Sequence, residues 1–282
     1  MAEGVRTRVD GASTLVGVIG WPVAHSLSPV LHNAAFAALD MDWVYVPLPV
    51  APRELPAALA GLAALGFAGA NVTMPHKTQS AELAHVLSED ARRLQAVNTL
   101  VVGPDGLAGY NTDAPGFDRF LRLDAGFDPA GCSALLYGAG GAARACALAL
   151  ARGGLARLWV ALRDPARAAS LLGTLEGLPV PVEVIAFEEA PETAPDLVLN
   201  ATPLGAHGEV LPLPPLGPEM LVVDLLYRPT ATPLQTAARH AGAGAFGGLG
   251  LLLHQAALSF ELWTQRQPPL EVMSAAALAE LT

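Results

Sequence analysis

The stretch "CSALLYGAGGAARACALALARGG", residues 132–154, decides how the rest of the chain reads. A short apolar run leads into a turn of small residues, Gly138, Ala139, Gly140, Gly141 and Ala142, and an alanine- and leucine-rich helical segment follows. With Ala143 as the last small position, the pattern is GxGxxA. One glycine of such a pattern makes the tight turn. Another lets the backbone approach a pyrophosphate, and the helix N-terminus offers free N–H groups to the anion. A purely structural glycine turn has the same letters. Its place after a strand, at the opening of a helix and inside a βαβ unit, favours dinucleotide binding.

Downstream, the alternation continues. Residues 156–162 read as a strand, 164–175 as a helix, 182–187 as a strand, and 196–205 and 220–227 as strands running into polar turns. The strand after the glycine turn should end at the adenosine ribose. An acid there suits NAD, whereas arginine suits the 2′-phosphate of NADP. This strand ends in Leu162 and Arg163, with Arg167 one turn on. No acid ends it, and Arg163 can form a fork to phosphate, so NADP is favoured. Asp164 reads as the N-cap of the next helix, although its charge would repel a phosphate.

Upstream, a first series runs the same way. Residues 14–20, 43–50, 69–72 and 96–102 read as strands, and 28–40 and 52–66 as helices. Ser28 and Pro29 suit the N-cap and first position of the first helix, and Gly66 suits the end of the second. The alternation predicts an α/β protein of two α/β domains. The first has a mostly parallel sheet and the second is a Rossmann-type dinucleotide-binding domain. We place the first at 1–113, completed by C-terminal helices at 247–282, and the second at 114–246.

Bulk properties agree with a compact globular protein. Of 282 residues, 52% are hydrophobic and 15% charged, and mean hydropathy is +0.40. A net charge of −10 argues against a nucleic-acid or anionic-membrane surface. Charge-free stretches at 55–76 and 240–260 are broken by glycine and carry polar residues, so they read as buried helix–strand units. The polar start carries no secretory signal, and Cys132 and Cys146 lack metal spacing. Reduced thiols in the cytoplasm are expected.

Lys77 is the only lysine among 16 lysine and arginine residues. It is either a solvated surface residue or a proton-exchanging one, a task arginine cannot perform. Ser26 and Ser28 sit at a strand-to-helix turn, where they can cap the helix or hold a small carboxylate. Asp113, just before a helix, is an N-cap or a catalytic group. Asn71, Thr73, Asn98 and Thr99 lie at the ends of apolar strands, where open α/β sheets bind ligands.

Seven segments in order resemble the shikimate dehydrogenase family: "HSLSPVLHN", "NVTMPHK", "AVNTLV", "GYNTDAPGF", "GAGGAARA", "NATPLG" and "GLGLLLHQAALSFELWTQ". The resemblance implies a substrate domain for shikimate and a Rossmann domain for NADP. It implies reversible reduction of 3-dehydroshikimate to shikimate, in the biosynthesis of aromatic amino acids. Carried over, Ser26 and Ser28 hold the carboxylate, and Asn71, Thr73, Asn98 and Gln255 hydrogen-bond the ring hydroxyls. Lys77 and Asp113 form the catalytic pair, and Tyr227 lies near the substrate and the nicotinamide end. Gly138, Ala139, Gly140, Gly141, Ala142, Arg163, Arg167, Thr202 and Gly248 belong to the cofactor side. The family's N-R-T-x-x-R segment is kept only in its arginines, since Leu162 and Asp164 replace Asn and Thr. Neither a metal nor a nucleic acid is implied, and the chain is expected as a monomer or homodimer. Quinate or aminoshikimate as substrate, or a non-catalytic metabolite sensor on the same fold, are the competing readings.

Overall fold

The computed structural model describes residues 9–281. The chain divides into two compact units, Met1–Thr112 with Gln255–Thr282, and Asp113–His254.

The first unit contains β1 (Thr14–Gly20), α1 (Ser28–Ala38), β2 (Trp43–Pro49), α2 (Leu55–Ala64), β3 (Phe67–Val72), α3 (Lys77–Leu83), β4 (Val86–Leu87), α4 (Glu89–Leu94), β5 (Thr99–Gly103) and β6 (Gly106–Tyr110). The sheet order is β2-β1-β3-β5-β6-β4. β1 pairs in parallel with both β2 and β3. Covered on both faces, it can be apolar along its length, as "TLVGVIG" is. Ile19, Leu55, Leu59, Phe67, Val72 and Leu100 form one side of the core.

β5 runs antiparallel to β3 and to β6. The sequence predicts a strand at 96–102 and misses the hairpin. Its second arm, "GLAGY", lacks the β-branched residues that signal a strand, and the tight turn between the arms leaves Gly106 at φ +101°. The helix predicted from 28 begins there, but Ser28 is its first residue, not its cap. Leu27 takes the cap position, and no side chain caps the helix.

The second unit contains α5 (Asp113–Leu123), β7 (Ser133–Tyr137), α6 (Gly141–Arg152), β8 (Arg157–Leu162), α7 (Ala169–Leu175), β9 (Val182–Ala186), β10 (Leu197–Asn200), β11 (Leu221–Asp224), α8 (Pro233–His240) and β12 (Gly244–Gly247). Its sheet is parallel throughout, in the order β12-β11-β10-β7-β8-β9. The order reverses between β7 and β10, which is the doubly wound dinucleotide-binding arrangement. Leu135, Trp159, Val198 and Val222 fill one face. β12 reads in the sequence only as a glycine-rich stretch. Backbone pairing with β11 makes it a strand, because "GAFG" has no side-chain pattern to announce one. The helix expected at 164–175 is split into a 3-10 turn at Pro165–Ala168 and α7.

The contact boundary falls inside α9 (Leu249–Thr264), between His254 and Gln255. From Gln255 on, α9 belongs to the first unit, together with α10 (Leu270–Ala279), which packs on α1. Trp263 anchors this return: its indole N–H donates to the Leu100 carbonyl at 2.9 Å. Gly69 makes the approach possible, because a Cβ there would collide with both groups. Among the described residues, no helix is long and apolar enough to cross a membrane.

Candidate active site

In the first unit, the carboxyl end of β3 and the adjoining amino end of the antiparallel β5 carry a buried polar cluster. Asn71, the penultimate residue of β3, is 6% exposed. Its Nδ2 donates to the Asn98 carbonyl at 3.0 Å, to Thr99 Oγ1 at 3.1 Å and to Ser259 Oγ at 2.9 Å. Its Oδ1 accepts from the Tyr45 hydroxyl at 2.7 Å. Asn98 Oδ1 accepts from the Thr112 backbone N–H at 2.8 Å, which fixes that amide's direction. Asn98 Nδ2 then donates to Thr112 Oγ1 at 2.9 Å, and reaches Gln255 Oε1 only at 3.5 Å. A long, weak bond of that kind is readily replaced by a ligand hydroxyl.

The β1–α1 turn lies beside β3 through its first strand. The Ser28 backbone N–H donates to Ser26 Oγ at 3.3 Å, which leaves the Ser26 hydroxyl proton to point elsewhere. Ser28 is 7% exposed. Thr73 and Lys77 belong to the turn after β3. Thr73 donates its N–H to the Ile19 carbonyl at 2.9 Å and accepts from the His76 N–H at 3.0 Å. His76 is buried, and its Nε2 meets the Val50 carbonyl at 2.8 Å. Lys77 opens α3, its carbonyl accepts from the Val97 N–H at 2.9 Å, and its side chain is half-buried. The structure thus gathers Asn71, Asn98 and Gln255 into one hydrogen-bonded neighbourhood and fixes the backbones of Ser26, Ser28, Thr73 and Lys77. Tyr45, Thr112 and Ser259 also belong to it, and the sequence reading does not single them out. Ser259 stands four residues after Gln255, one helical turn along α9, which is the signal that would have found it.

In the second unit, Asp113 is the first residue of α5 and 8% exposed. The glycine turn lies between β7 and α6. Gly138 has φ +104°, and a Cβ there would lie 3.1 Å from the Ala201 carbonyl oxygen. Gly140 and Gly141 are the opposite case: both are exposed, and a Cβ on either would meet nothing within 4 Å. No side chain caps α6. Open glycines in front of an uncapped helix N-terminus fit a pyrophosphate, which requires both close backbone approach and N–H donors. Ala139 and Ala142 complete the turn.

Arg163 follows β8, is exposed, and its guanidinium lies 5.0 Å from the centre of the Phe187 ring. Asp164 does cap: its carboxylate accepts from the Ala166 N–H at 3.1 Å. Arg167 sits in the 3-10 turn that follows. The arginines at the end of β8, with no acid ending that strand, fit a 2′-phosphate. Thr202 donates to Asn200 Oδ1 at 2.7 Å and closes the turn after β10. Asn200 in turn bonds Asp224 at 3.0 Å. Burial raises the Asp224 pKa, with hydrogen bonds from Thr232, the Leu226 N–H and Asn200 offsetting part of the rise. Tyr227 follows on the same loop, and burial raises its pKa while nearby Arg228 lowers it. The Gly248 N–H donates to the Leu226 carbonyl at 3.0 Å, and a Cβ on Gly248 would collide with the Leu225 carbonyl. Both cysteines are free, and no cluster of metal-ligating residues exists among the described residues.

Residues 18–100 match the model of the shikimate dehydrogenase substrate binding domain, and 248–278 that of the shikimate 5′-dehydrogenase C-terminal domain. The shikimate dehydrogenase (NADP(+)) of Moorella thermoacetica is 47% identical over 275 residues, covering 94% of this chain and 93% of that one. Its counterpart from Rubrobacter xylanophilus is 48% identical over 280 residues, covering 97% and 98%. Among solved structures, shikimate 5-dehydrogenase from Thermus thermophilus, in complex with NADP(H) and shikimate, is similar with a TM-score of 0.84. It is 37% identical to this chain, covering 94% of this chain and 99% of that one.

Proposed function

Because this chain belongs to the shikimate dehydrogenase family, we propose that it catalyses the reversible, NADP(H)-dependent reduction of 3-dehydroshikimate to shikimate. The observation that carries this reading is the buried amide and hydroxyl cluster around Asn71 and Asn98, at the strand ends of a unit that matches the substrate-domain model. Such a cluster suits a ring bearing several hydroxyls. The domain built on β1–β6, residues 1–113 with 247–282, takes the substrate, and 114–246 takes the dinucleotide.

NADP(H), when bound, supplies or accepts the hydride. The chain's own residues do the rest. Ser26 and Ser28 hold the substrate carboxylate, and Asn71, Thr73, Asn98 and Gln255 orient the ring through its hydroxyls. Lys77 as ammonium gives a proton to the oxygen formed on reduction and takes it back on oxidation. Asp113 forms a catalytic pair with Lys77. Tyr227 borders the substrate and the nicotinamide end. Gly138, Ala139, Gly140, Gly141 and Ala142 cradle the pyrophosphate, Arg163 and Arg167 hold the 2′-phosphate, and Thr202 and Gly248 shape the remaining wall. The charge and thiol content support a cytoplasmic enzyme without a nucleic-acid partner, acting as monomer or homodimer.

Turnover of NADPH with 3-dehydroshikimate tests the activity. Quinate and aminoshikimate in the reverse direction test the specificity. Lys77→Ala should lower kcat by about 10²–10⁴-fold, the usual contribution of a general acid–base group, while leaving NADP(H) affinity intact. Near-native kcat in that variant would remove Lys77 from the chemistry.

A further inference from the structure

Asp164 stands between the two arginines assigned to the 2′-phosphate, yet it is not their partner. β7 and β8 run side by side, with Tyr137 opposite Ala161, and the Gly138 N–H donates to the Ala161 carbonyl at 3.3 Å. The glycine turn and the segment 162–164 therefore leave the sheet next to each other. Leu162 ends β8 and pairs with Ala186, which ends β9, and this brings Arg163 to Phe187. The Arg163 guanidinium lies 5.0 Å from the centre of that ring. A cation over a ring is held by the ring's face and commits none of its N–H donors to an acceptor. Among the described residues, neither Arg163 nor Arg167 forms an ion pair.

The Asp164 side chain is engaged locally instead. Its backbone is extended, with φ −127° and ψ 103°, and one carboxylate oxygen accepts from the Ala166 N–H at 3.1 Å. Its carbonyl accepts from the Arg167 N–H at 3.1 Å. Asp164 and Arg167 are thus fixed in one turn, and both are exposed. Capping needs an oxygen and not a charge, since asparagine serves there as well as aspartate. What aspartate adds is a full negative charge. Its second carboxylate oxygen has no partner among the described residues and remains an acceptor, at the strand end where a dinucleotide's ribose is read.

We propose that Asp164 is a specificity-determining residue for the cofactor, lowering the preference for NADP(H) over NAD(H). This rests on the assignment of 114–246 to the dinucleotide and of Arg163 and Arg167 to the 2′-phosphate. The carboxylate repels the phosphate that the arginines attract, and it offers the 2′-hydroxyl of NAD(H) an acceptor. The arginines keep NADP(H) the better ligand, and Asp164 sets by how much.

Asp164→Asn separates the charge from the cap. Calorimetric titration of the full-length enzyme with 2′,5′-ADP, and with 5′-ADP, which lacks the 2′-phosphate, reads the effect without turnover. The variant should bind 2′,5′-ADP about three- to tenfold more tightly than the wild type, the scale of one exposed like charge near the phosphate. Binding of 5′-ADP should be unchanged or weaker. The gain should fade at about 1 M salt, where the screening length drops to about 3 Å, whereas a change in the cap would not follow salt. The ratio of kcat/KM for NADP⁺ to that for NAD⁺ should rise by about the same three- to tenfold. Equal changes for both fragments, or a gain that survives high salt, would overturn the role of the charge. A wild type that binds neither fragment would overturn the dinucleotide assignment and this proposal together. A wild type that binds 2′,5′-ADP, with Asp164→Asn binding it no more tightly, would overturn the role of Asp164 alone.

Discussion

His32 should make the stability of this protein fall with pH by an amount that can be calculated. The ring is fully buried against Tyr45, Phe36, Phe260 and Trp263, and burial lowers its pKa from 6.5 to about 3. In the unfolded chain it takes up a proton near pH 6.5, whereas the folded protein does not until about pH 3. The stability that depends on a neutral ring is therefore fully present above pH 6.5 and is lost as pH falls toward 3. At about pH 5 the unfolded histidine is some 1.5 units below its pKa, and at roughly 1.36 kcal/mol per unit the loss is about 2 kcal/mol. That figure holds for any folded value below about 4, because only the unfolded state titrates in this window. The assay is urea unfolding of the wild type and of His32→Phe at about pH 8 and about pH 5. Phenylalanine keeps a planar ring against Tyr45 and cannot titrate. Any constant cost of its larger size cancels, as do the other histidines, since only the change with pH is compared. The wild type should lose about 2 kcal/mol more than the variant. Equal losses would show that His32 is protonated in the folded protein or exposed to water, and the account of the aromatic cluster would be wrong.

The remaining predictions concern the dinucleotide side. Arg163→Ala should raise the KM for NADP(H) about 10- to 150-fold, corresponding to a charge-assisted contact of roughly 1.5–3 kcal/mol, and barely change that for NAD(H). Equal losses with both cofactors would place Arg163 away from the 2′-phosphate. Gly138→Ala should destabilise the protein by about 1–2 kcal/mol in thermal unfolding, because alanine at φ +104° is strained and its Cβ would crowd the Ala201 carbonyl. Gly141→Ala should leave stability unchanged, since a Cβ there meets nothing within 4 Å. It should weaken NADP(H) binding on the order of tenfold in a fluorescence titration, because the open space is where a pyrophosphate would approach. Unaltered binding would move the cradle elsewhere.

Much of the fold was legible in the sequence because its signals are local. "LLYGAGGAARA" states strand, turn and helix within eleven residues, and the apolar runs of β1, β7 and β10 need no partner to be recognised as buried strands. The β5–β6 hairpin and β12 were not legible. Their residues are small or glycine, and only backbone pairing with a neighbour makes them strands. Lys77 drew attention as the only lysine, and Asn71 and Asn98 as polar residues at the ends of apolar strands. Tyr45 did not, because an alternating strand such as "WVYVPLP" shows which residues face inward but not what they meet.

The sequence by itself determined the α/β class, the glycine turn, the arginine that follows β8 and the one lysine able to exchange a proton. These depend on residue type and on spacing along the chain. Only the tertiary structure decided the direction of the hydrogen bonds, that Leu27 and not Ser28 takes the cap position of α1, and that Ser259 joins Asn71 across 188 residues. It also decided that His32 would be buried without a hydrogen-bond partner among the described residues. The physical reason is the range of the interactions. A turn or a helix start is set by neighbours in sequence, whereas a buried amide takes its orientation from whichever donors and acceptors packing brings within about 3 Å.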